Sequence, residues 1–157
     1  MKVREVAPDI DTGALLSGAQ FADAFRIETQ REIRDARQAA ERMTERSPRW
    51  IEVLMSLRNL LVAPFGLKTS GEGEWPSREM IGIFPVLRET PDRLVAGFND
   101  KHLDFRLVVD VASSGSGQHV TATTLVRTHN RLGRVYLAII LPFHRLIVAA
   151  MLQKAAA

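Results

Sequence analysis

The sequence contains no cysteine, which excludes disulfide bonds, thiolate nucleophiles and cysteine-ligated metal sites. Residues 1–13, MKVREVAPDIDTG, lack the apolar run of a signal peptide. No two of the four histidines stand two, three or four residues apart, as the members of a metal-binding pair commonly do. We therefore expect a cytoplasmic protein without a metal ion or another cofactor.

Two enzyme motifs and one binding signature are also missing. No serine lies in a nucleophile elbow, and no glycine-rich loop leads into a helix to hold a phosphate group. The net charge is +3, but acidic and basic residues are interleaved along the chain. Residues 127–134, RTHNRLGR, approach a basic cluster but contain no aromatic residue that could stack on a base. Nucleic-acid binding is therefore not expected.

The length of 157 residues fits one domain with its own hydrophobic core. We expect residues 1–157 to form this single domain and residues 1–18 to be an irregular N-terminal segment. The first regular element is then a strand, because Phe21, Phe25 and Ile27 alternate with charged residues. A period of two is typical of a strand with one buried face.

Two helices are predicted to follow this strand. The four residues from Thr29 to Glu32 have the pattern of a capping box and predict a helix that ends near Arg46. Its apolar stripe is Ile33, Ala36, Ala40 and Met43. Ser47 and Pro48 predict the start of a second helix. The apolar face of that helix is Trp50, Leu54, Leu57 and Leu61.

From Ile81 onward the pattern changes to antiparallel strands. HLDFRLVVDVA and QHVTATTLVRTH each alternate apolar and polar residues and flank SSGSG, which predicts a hairpin. Pairing Val109 with Val120 places apolar opposite apolar side chains. The same register places Asp110 opposite His119, and His102 opposite Arg127.

The most apolar segment, residues 133–153, predicts a long C-terminal helix. Its one polar and small-residue stripe is Arg131, Arg134, Ala138, Pro142, Arg145, Ala149 and Gln153. Arg134 and Arg145 bracket the apolar run, which is too short for a membrane span. A basic edge beside an apolar face can instead lie on a lipid surface, although covering the sheet would use that face.

These elements predict an α+β fold of the helix-grip type, similar to START and Bet v 1 proteins. In this architecture a curved antiparallel sheet wraps around a long C-terminal helix, with two short helices after the first strand. An antiparallel sheet with one apolar face must bury that face, and the final helix is the element long and apolar enough to do so.

The segments VRTHNRLGRVYLAIILPFHRLI, PRWIEVLMSLRNLLVAPFGLK and HLDFR resemble a bacterial family known as domain of unknown function 2867. The resemblance extends from about Ala19 to Leu152 and is most specific at THNRLGR and PFHR. It implies a START-like, polyketide-cyclase-like helix-grip fold. Related domains occur attached to oxidoreductase-like domains, so a separate oxidoreductase partner stays open. The resemblance implies no reaction and no catalytic residues.

Three polar residues are candidates for chemistry: His129, His144 and Tyr136. His129 either acts as a base at a cavity mouth or belongs to a cap in which Thr128 or Asn130 starts the last helix. His144 either faces a cavity or bonds a backbone group loosened by Pro142. The alternating residues His102, Asp104 and Arg106 form either an anion site or a solvated strand face.

We expect the protein to bind a small hydrophobic ligand between the sheet and the C-terminal helix. The candidate lining residues are Trp50, Phe98, Phe105, Tyr136, Phe143, His144 and Met151. The first alternative is a cyclase-like, dehydratase-like or hydrolase-like enzyme that uses the cavity histidines and tyrosine. The second is a protein–protein interaction module, and the chain can be a monomer or a homodimer.

Overall fold

The computed structural model describes residues 3–44, 80–81, 84–99, 103–115 and 117–156. The second predicted helix, with Trp50, and also His102 lie outside this part of the chain. The strands are β1 Arg4–Val6, β2 Phe21–Thr29, β3 Met80–Ile81, β4 Phe84–Glu89, β5 Arg93–Asn99, β6 Leu103–Ser114 and β7 Gly117–Thr128. The helices are α1 Thr12–Leu15, α2 Ala36–Thr44 and α3 Arg131–Ala156.

The described strands form an open antiparallel sheet in the order β1-β2-β7-β6-β5-β4-β3. With the C-terminal helix this is an α+β fold, as the sequence predicts. The prediction of an irregular segment 1–18 is wrong, because β1 pairs with β2 and α1 follows it. Three residues are too short to show an alternating pattern, so pairing with β2 defines this strand.

The β6–β7 hairpin is confirmed, but its predicted register is wrong by two residues. Val120 pairs with Val111 rather than Val109, and Ser114 pairs with Gly117 across a two-residue loop. Gly115 adopts a φ of 59° in this loop, a value that glycine accommodates without strain. A shift of two residues leaves every side chain on its predicted face, so the alternation alone did not distinguish the two registers.

One face of the sheet, here called the inner face, carries the main core. Its buried residues on the strands include Phe25, Ile27, Leu94, Leu107, Val109 and Val120. Helix α2 covers β5 and β6, while α3 lies over β2 and β7. The inner face is therefore shared between two helices.

Helix α2 begins later than the capping box predicts. Its first residue is Ala36, and the Asp35 carboxylate accepts a hydrogen bond from the backbone N–H of Gln38 at 2.8 Å. The Thr29 hydroxyl instead donates to the carbonyl of Ala156 at 3.1 Å. Thr29 is the last residue of β2, and its hydroxyl bonds the end of α3 rather than the start of α2. Asp35 therefore caps α2.

Asn130 begins α3 as a cap, which confirms one of the two residues considered for that role. Its side-chain oxygen accepts from the N–H of Gly133 at 3.0 Å. The helix runs along β2: His144 contacts Asp23, and Ala156 contacts Thr29. The twelve residues from His144 to Ala156 advance the helix by about 18 Å. The six residues from Asp23 to Thr29 advance the strand by about 20 Å, so both contacts fit one helix that lies along one strand.

The expectation that the apolar face of α3 is used up in covering the sheet is wrong. Val148, Leu152 and Ala155 are buried in the core, but Val135, Ile139 and other large apolar residues are exposed. By length and composition α3 could cross a membrane, and only 11% of its most apolar 18 residues are buried. Only the C-terminal part of the helix closes the core.

Candidate functional site

A histidine and an aspartate meet on the mainly apolar inner face. The Nε2 atom of His144 lies 3.1 Å from Oδ1 and 3.0 Å from Oδ2 of Asp23. Their side chains are 15% and 12% exposed. This burial distinguishes the pair from a solvated surface ion pair, where the two charges would be screened by water.

Strand periodicity explains the position of Asp23. It has the same parity as Phe21, Phe25 and Ile27, so its side chain projects towards α3. The rings of Phe21 and Phe25 pack edge-on against the His144 imidazole, with centroids 6.0 Å and 6.4 Å away. Aromatic packing and the carboxylate together fix the imidazole.

The next residue anchors α3 to the edge of the sheet. The Arg145 guanidinium pairs with the Glu5 carboxylate on β1 and lies 5.8 Å from the centroid of the Phe25 ring. Two successive residues of α3 therefore contact two neighbouring strands. These contacts hold His144 in place beside β2.

A buried hydroxyl without a partner adjoins the pair. Thr124 on β7 is directly opposite Asp23 on β2 in the register and is 2% exposed. Its Oγ1 has no hydrogen-bond partner within the described structure. Facing residues in an antiparallel pair have Cβ atoms about 5 Å apart. Since buried hydroxyl groups are normally bonded, Thr124 marks a polar position that a ligand group can satisfy.

The three side chains offer a defined set of hydrogen bonds. When Asp23 is ionised, the His144 Nε2–H donates to it and Nδ1 of the neutral ring is left as an acceptor. The Thr124 hydroxyl can both donate and accept. The arrangement can bind a small polar group, and it can also orient an imidazole as a base.

His129 forms a second pair on the other side of the sheet. Its Nε2 lies 3.0 Å from Oδ1 of Asp104. Asp104 alternates with Leu103 and Phe105, which belong to the inner face, so Asp104 projects to the outer face. The structure thus places His129 and His144 on opposite sides of the sheet and does not bring them together.

The other predicted site residues are divided between the core and the surface. Phe105 and Met151 are partly buried and pack against the main core. Tyr136 is half-buried on α3, whereas Phe143 is 41% exposed. Phe98 is on β5 opposite Phe105, and nothing further is described of its side chain.

A groove of about 230 Å³ lies on the outer face. Residues from β2, β5, β6 and β7 line it together with Ala7, Asp9, Ile10 and Asp92. One row across the sheet supplies Arg26, Thr121, Asp110 and Arg93. Arg26 donates to Thr121 at 2.9 Å, and Arg93 to Asp110 at 2.6 Å. These bonds pair the polar side chains of this row with one another.

His119 lines the same groove, and its pKa is lowered from its ordinary value of 6.5. Burial is the main cause, and the neighbouring guanidinium groups of Arg26 and Arg4 add to it, against an opposing effect of Glu28. The imidazole is therefore held towards its neutral form. Within the described ranges no cluster of three or more His, Asp or Glu side chains could hold a metal ion.

The family described as "Protein of unknown function (DUF2867)" matches residues 15–151. This chain belongs to that family. No curated protein matches the sequence.

Three solved structures resemble this DUF2867 member at low identity. A conserved protein from Geobacillus kaustophilus is 12% identical, with 87% of this chain and 93% of that chain covered and a TM-score of 0.42. A protein from Arthrobacter aurescens is 14% identical, with 96% and 91% covered and a TM-score of 0.42. CalU16 from Micromonospora echinospora is 11% identical, with 85% and 83% covered and a TM-score of 0.33. No functional conclusion follows from these likenesses.

Sequence reasoning named His144 but missed its two neighbours in this DUF2867 protein. Asp23 falls at a core position of an alternating strand, between Phe21 and Phe25. Thr124 alternates with Val120, Ala122 and Val126, so the strand pattern places it on the apolar face and does not mark it as a polar site residue. A carboxylate in the apolar register of a strand was the signal available, since a buried carboxylate requires a partner.

Proposed function

We propose that this protein binds a small, largely apolar molecule between the sheet and α3, and that it does so as a helix-grip domain. The polar end of the molecule would meet His144, Asp23 and Thr124. The observation that carries the proposal is the buried Thr124 hydroxyl beside Asp23, which has no hydrogen-bond partner among the described residues. A binding pocket with apolar walls and a few convergent polar groups is typical of small-molecule sites.

The surrounding residues suit an apolar ligand body. Phe21 and Phe25 flank His144, and Leu107 pairs with Thr124 on the neighbouring strand. Phe105 and Met151 add further apolar surface at the margin of the core. Each of these side chains favours the transfer of an apolar group from water.

The charges at the polar end favour a hydroxyl group on the ligand. An ionised ligand carboxylate would face the Asp23 carboxylate, and like charges at short range repel each other. A hydroxyl can donate to Asp23 or to Nδ1 of His144 while it accepts from Thr124. The proposed ligand class is therefore an apolar alcohol or phenol.

Displacement of a fluorescent apolar probe tests this proposal. N-phenyl-1-naphthylamine is bound to the protein and displaced with 1-alkanols of increasing length, and then with their methyl ethers. The ether keeps the apolar body but lacks the hydroxyl donor. We expect each matching alcohol to bind about tenfold more tightly, the factor that corresponds to one net hydrogen bond.

Asp23→Leu with His144→Phe removes both acceptors of the ligand hydroxyl and should abolish this preference for the alcohol. Thr124→Val should weaken the alcohol and the ether alike, because both oxygens accept from the Thr124 hydroxyl. Asp104→Asn is the matched control, because it changes a histidine-paired aspartate on the outer face and should leave the preference intact. Native mass spectrometry of the purified protein would also give the mass of any molecule that co-purifies with it. Absence of probe binding, or equal displacement by alcohol and ether, would contradict the proposal.

General-base catalysis is a second candidate function, favoured by the carboxylate that orients His144. The expected chemistry is the removal of a proton from carbon by Nδ1, as in a cyclase or dehydratase. A 2-alkanone probe in D₂O tests it, because a proton that leaves the carbon beside the carbonyl is replaced by a deuteron. Protein-dependent exchange that is lost in His144→Gln supports catalysis, and exchange at the rate of buffer alone contradicts it.

A further inference from the structure

The outward face of α3 carries a stripe of exposed apolar side chains. Val135, Ile139, Phe143 and Leu146 are 54%, 58%, 41% and 58% exposed. Their spacing of four, four and three residues places them on one side of the helix. Single exposed apolar residues are common, but a continuous stripe of large ones indicates an interaction surface.

The opposite side of the same helix is already occupied. His144 contacts β2, and Val148, Leu152 and Ala155 belong to the core. The stripe is therefore extra apolar surface that the described fold does not use. Burying it in a partner would be favourable without any change in the core.

The charge of α3 has a single sign. Its charged residues are Arg131, Arg134, Arg145 and Lys154, and it contains no aspartate or glutamate. Arg131 and Arg134 are exposed and form no ion pair with a carboxylate of the described residues. With Arg145 they form one basic edge beside the apolar stripe, at helical spacing.

The position of Arg131 and Arg134 is unfavourable for the helix itself. Both lie in the first turn, where the helix dipole is positive and acidic side chains are stabilising. No acidic residue is present there to compensate. The two guanidinium groups are therefore poorly explained by helix stability and suit an anionic partner.

We propose that the outward face of α3 binds an anionic lipid surface, with the apolar stripe in the headgroup region and Arg131 and Arg134 on lipid phosphates. Interfacial helices combine these two features, an apolar face and an arginine-rich edge. A membrane-spanning position of α3 is disfavoured because the other side of this helix is packed on β2 and β7. A second copy of the chain is disfavoured because two such helices would bring arginine towards arginine. The inference does not depend on the ligand site.

Vesicle co-sedimentation tests this surface. The full chain is mixed with vesicles of phosphatidylcholine alone, or of phosphatidylcholine with phosphatidylglycerol. We expect strong binding only to the anionic vesicles and weaker binding as salt rises, because exposed charges are screened. Binding that is equal on the two vesicle types, or absent from both, would overturn the proposal.

Two sets of substitutions separate the two features of the face. Arg131→Gln with Arg134→Gln should weaken binding to anionic vesicles about thirtyfold, since each basic residue near an anionic surface contributes about fivefold. Arg34→Gln with Arg88→Gln is the control, with the same change in net charge at exposed sites outside α3. If both double variants lose binding equally, net charge alone is responsible and the surface is not α3.

Val135→Gln, Ile139→Gln and Leu146→Gln together should abolish vesicle binding at any salt concentration. These positions are more than half exposed and glutamine is a good helix former, so the fold should remain stable. Light scattering without vesicles should give a monomer for wild type. A wild-type dimer that this triple variant dissociates would show that the face binds a second copy instead.

Discussion

The two histidine–aspartate pairs have the same donor atom, the same kind of acceptor and the same 3.0 Å separation, yet they lie on opposite faces of one sheet. His144 and Asp23 are 15% and 12% exposed, whereas His129 and Asp104 are 31% and 13% exposed. His144 packs between two phenylalanine rings, while His129 follows the last residue of β7.

This difference shows that the pairing of a histidine with a carboxylate does not identify a site by itself. The surroundings of the pair decide whether it can form a binding site. On the inner face the pair has a buried hydroxyl beside it, at Thr124, with no hydrogen-bond partner in the part of the chain that the structure describes. On the outer face Asp104 is opposite Arg127 in the register, and the more exposed imidazole can exchange its partner for water.

The largest effect that separates the two pairs should be on stability. Asp23→Ala leaves the His144 imidazole buried without its partner and should lower the free energy of unfolding by about 2 kcal/mol. Asp104→Ala should lower it by less than about 1 kcal/mol, because His129 is more accessible to water. Urea unfolding of the two variants and the wild type measures both values.

Asp23→Leu combined with His144→Phe provides the control for this comparison. Replacing both buried partners with apolar groups removes the orphaned polar atom, so the double variant should recover most of the lost stability. Equal losses from Asp23→Ala and Asp104→Ala would mean that the two faces are not different environments.

Thr124→Val should have a smaller effect of the opposite sign. Valine has nearly the shape of threonine but lacks the hydroxyl that is desolvated without a partner, so unfolding without ligand should require about 1 kcal/mol more. Thr121→Val is the control on the same strand, because that hydroxyl accepts from Arg26 at 2.9 Å and its loss should destabilise. Destabilisation by both variants would show that Thr124 is already hydrogen-bonded.

The sequence pattern predicted the elements better than their arrangement. Alternation found β2, β6 and β7, and the apolar periodicity with Asn130 as cap found α3. The hairpin register was wrong because a shift of two residues keeps each face intact. The start of α2 was wrong because Thr29 bonds a residue distant in sequence, at the end of α3.

The site was only partly predictable for the same reason. His144 stands out in an apolar segment, but its partner is 121 residues away in the chain. Periodicity alone also gave the wrong account of α3, since it shows where apolar residues lie but not which neighbour covers them. Ile139 and Val148 are both apolar, but they lie on opposite sides of α3, and only the side that carries Val148 faces the core.

His119 gives the smallest predicted effect and extends the comparison to a histidine that faces arginines. Its pKa is lowered by burial and by Arg26 and Arg4, with Glu28 opposing. In the unfolded chain the pKa of His119 has its ordinary value of 6.5, and in the folded protein it is lower. As pH falls through 6.5 the unfolded chain therefore binds more protons than the folded protein. The free energy of unfolding falls over this range, down to the folded pKa. His119→Gln should therefore lose less stability than wild type between pH 7.5 and pH 5.5, as measured by the urea midpoint at each pH.

Arg26→Gln should raise the pKa of His119 and produce part of the same change. A wild-type loss no larger than that of His119→Gln would mean that His119 is as free to take up a proton in the folded protein as in the unfolded chain.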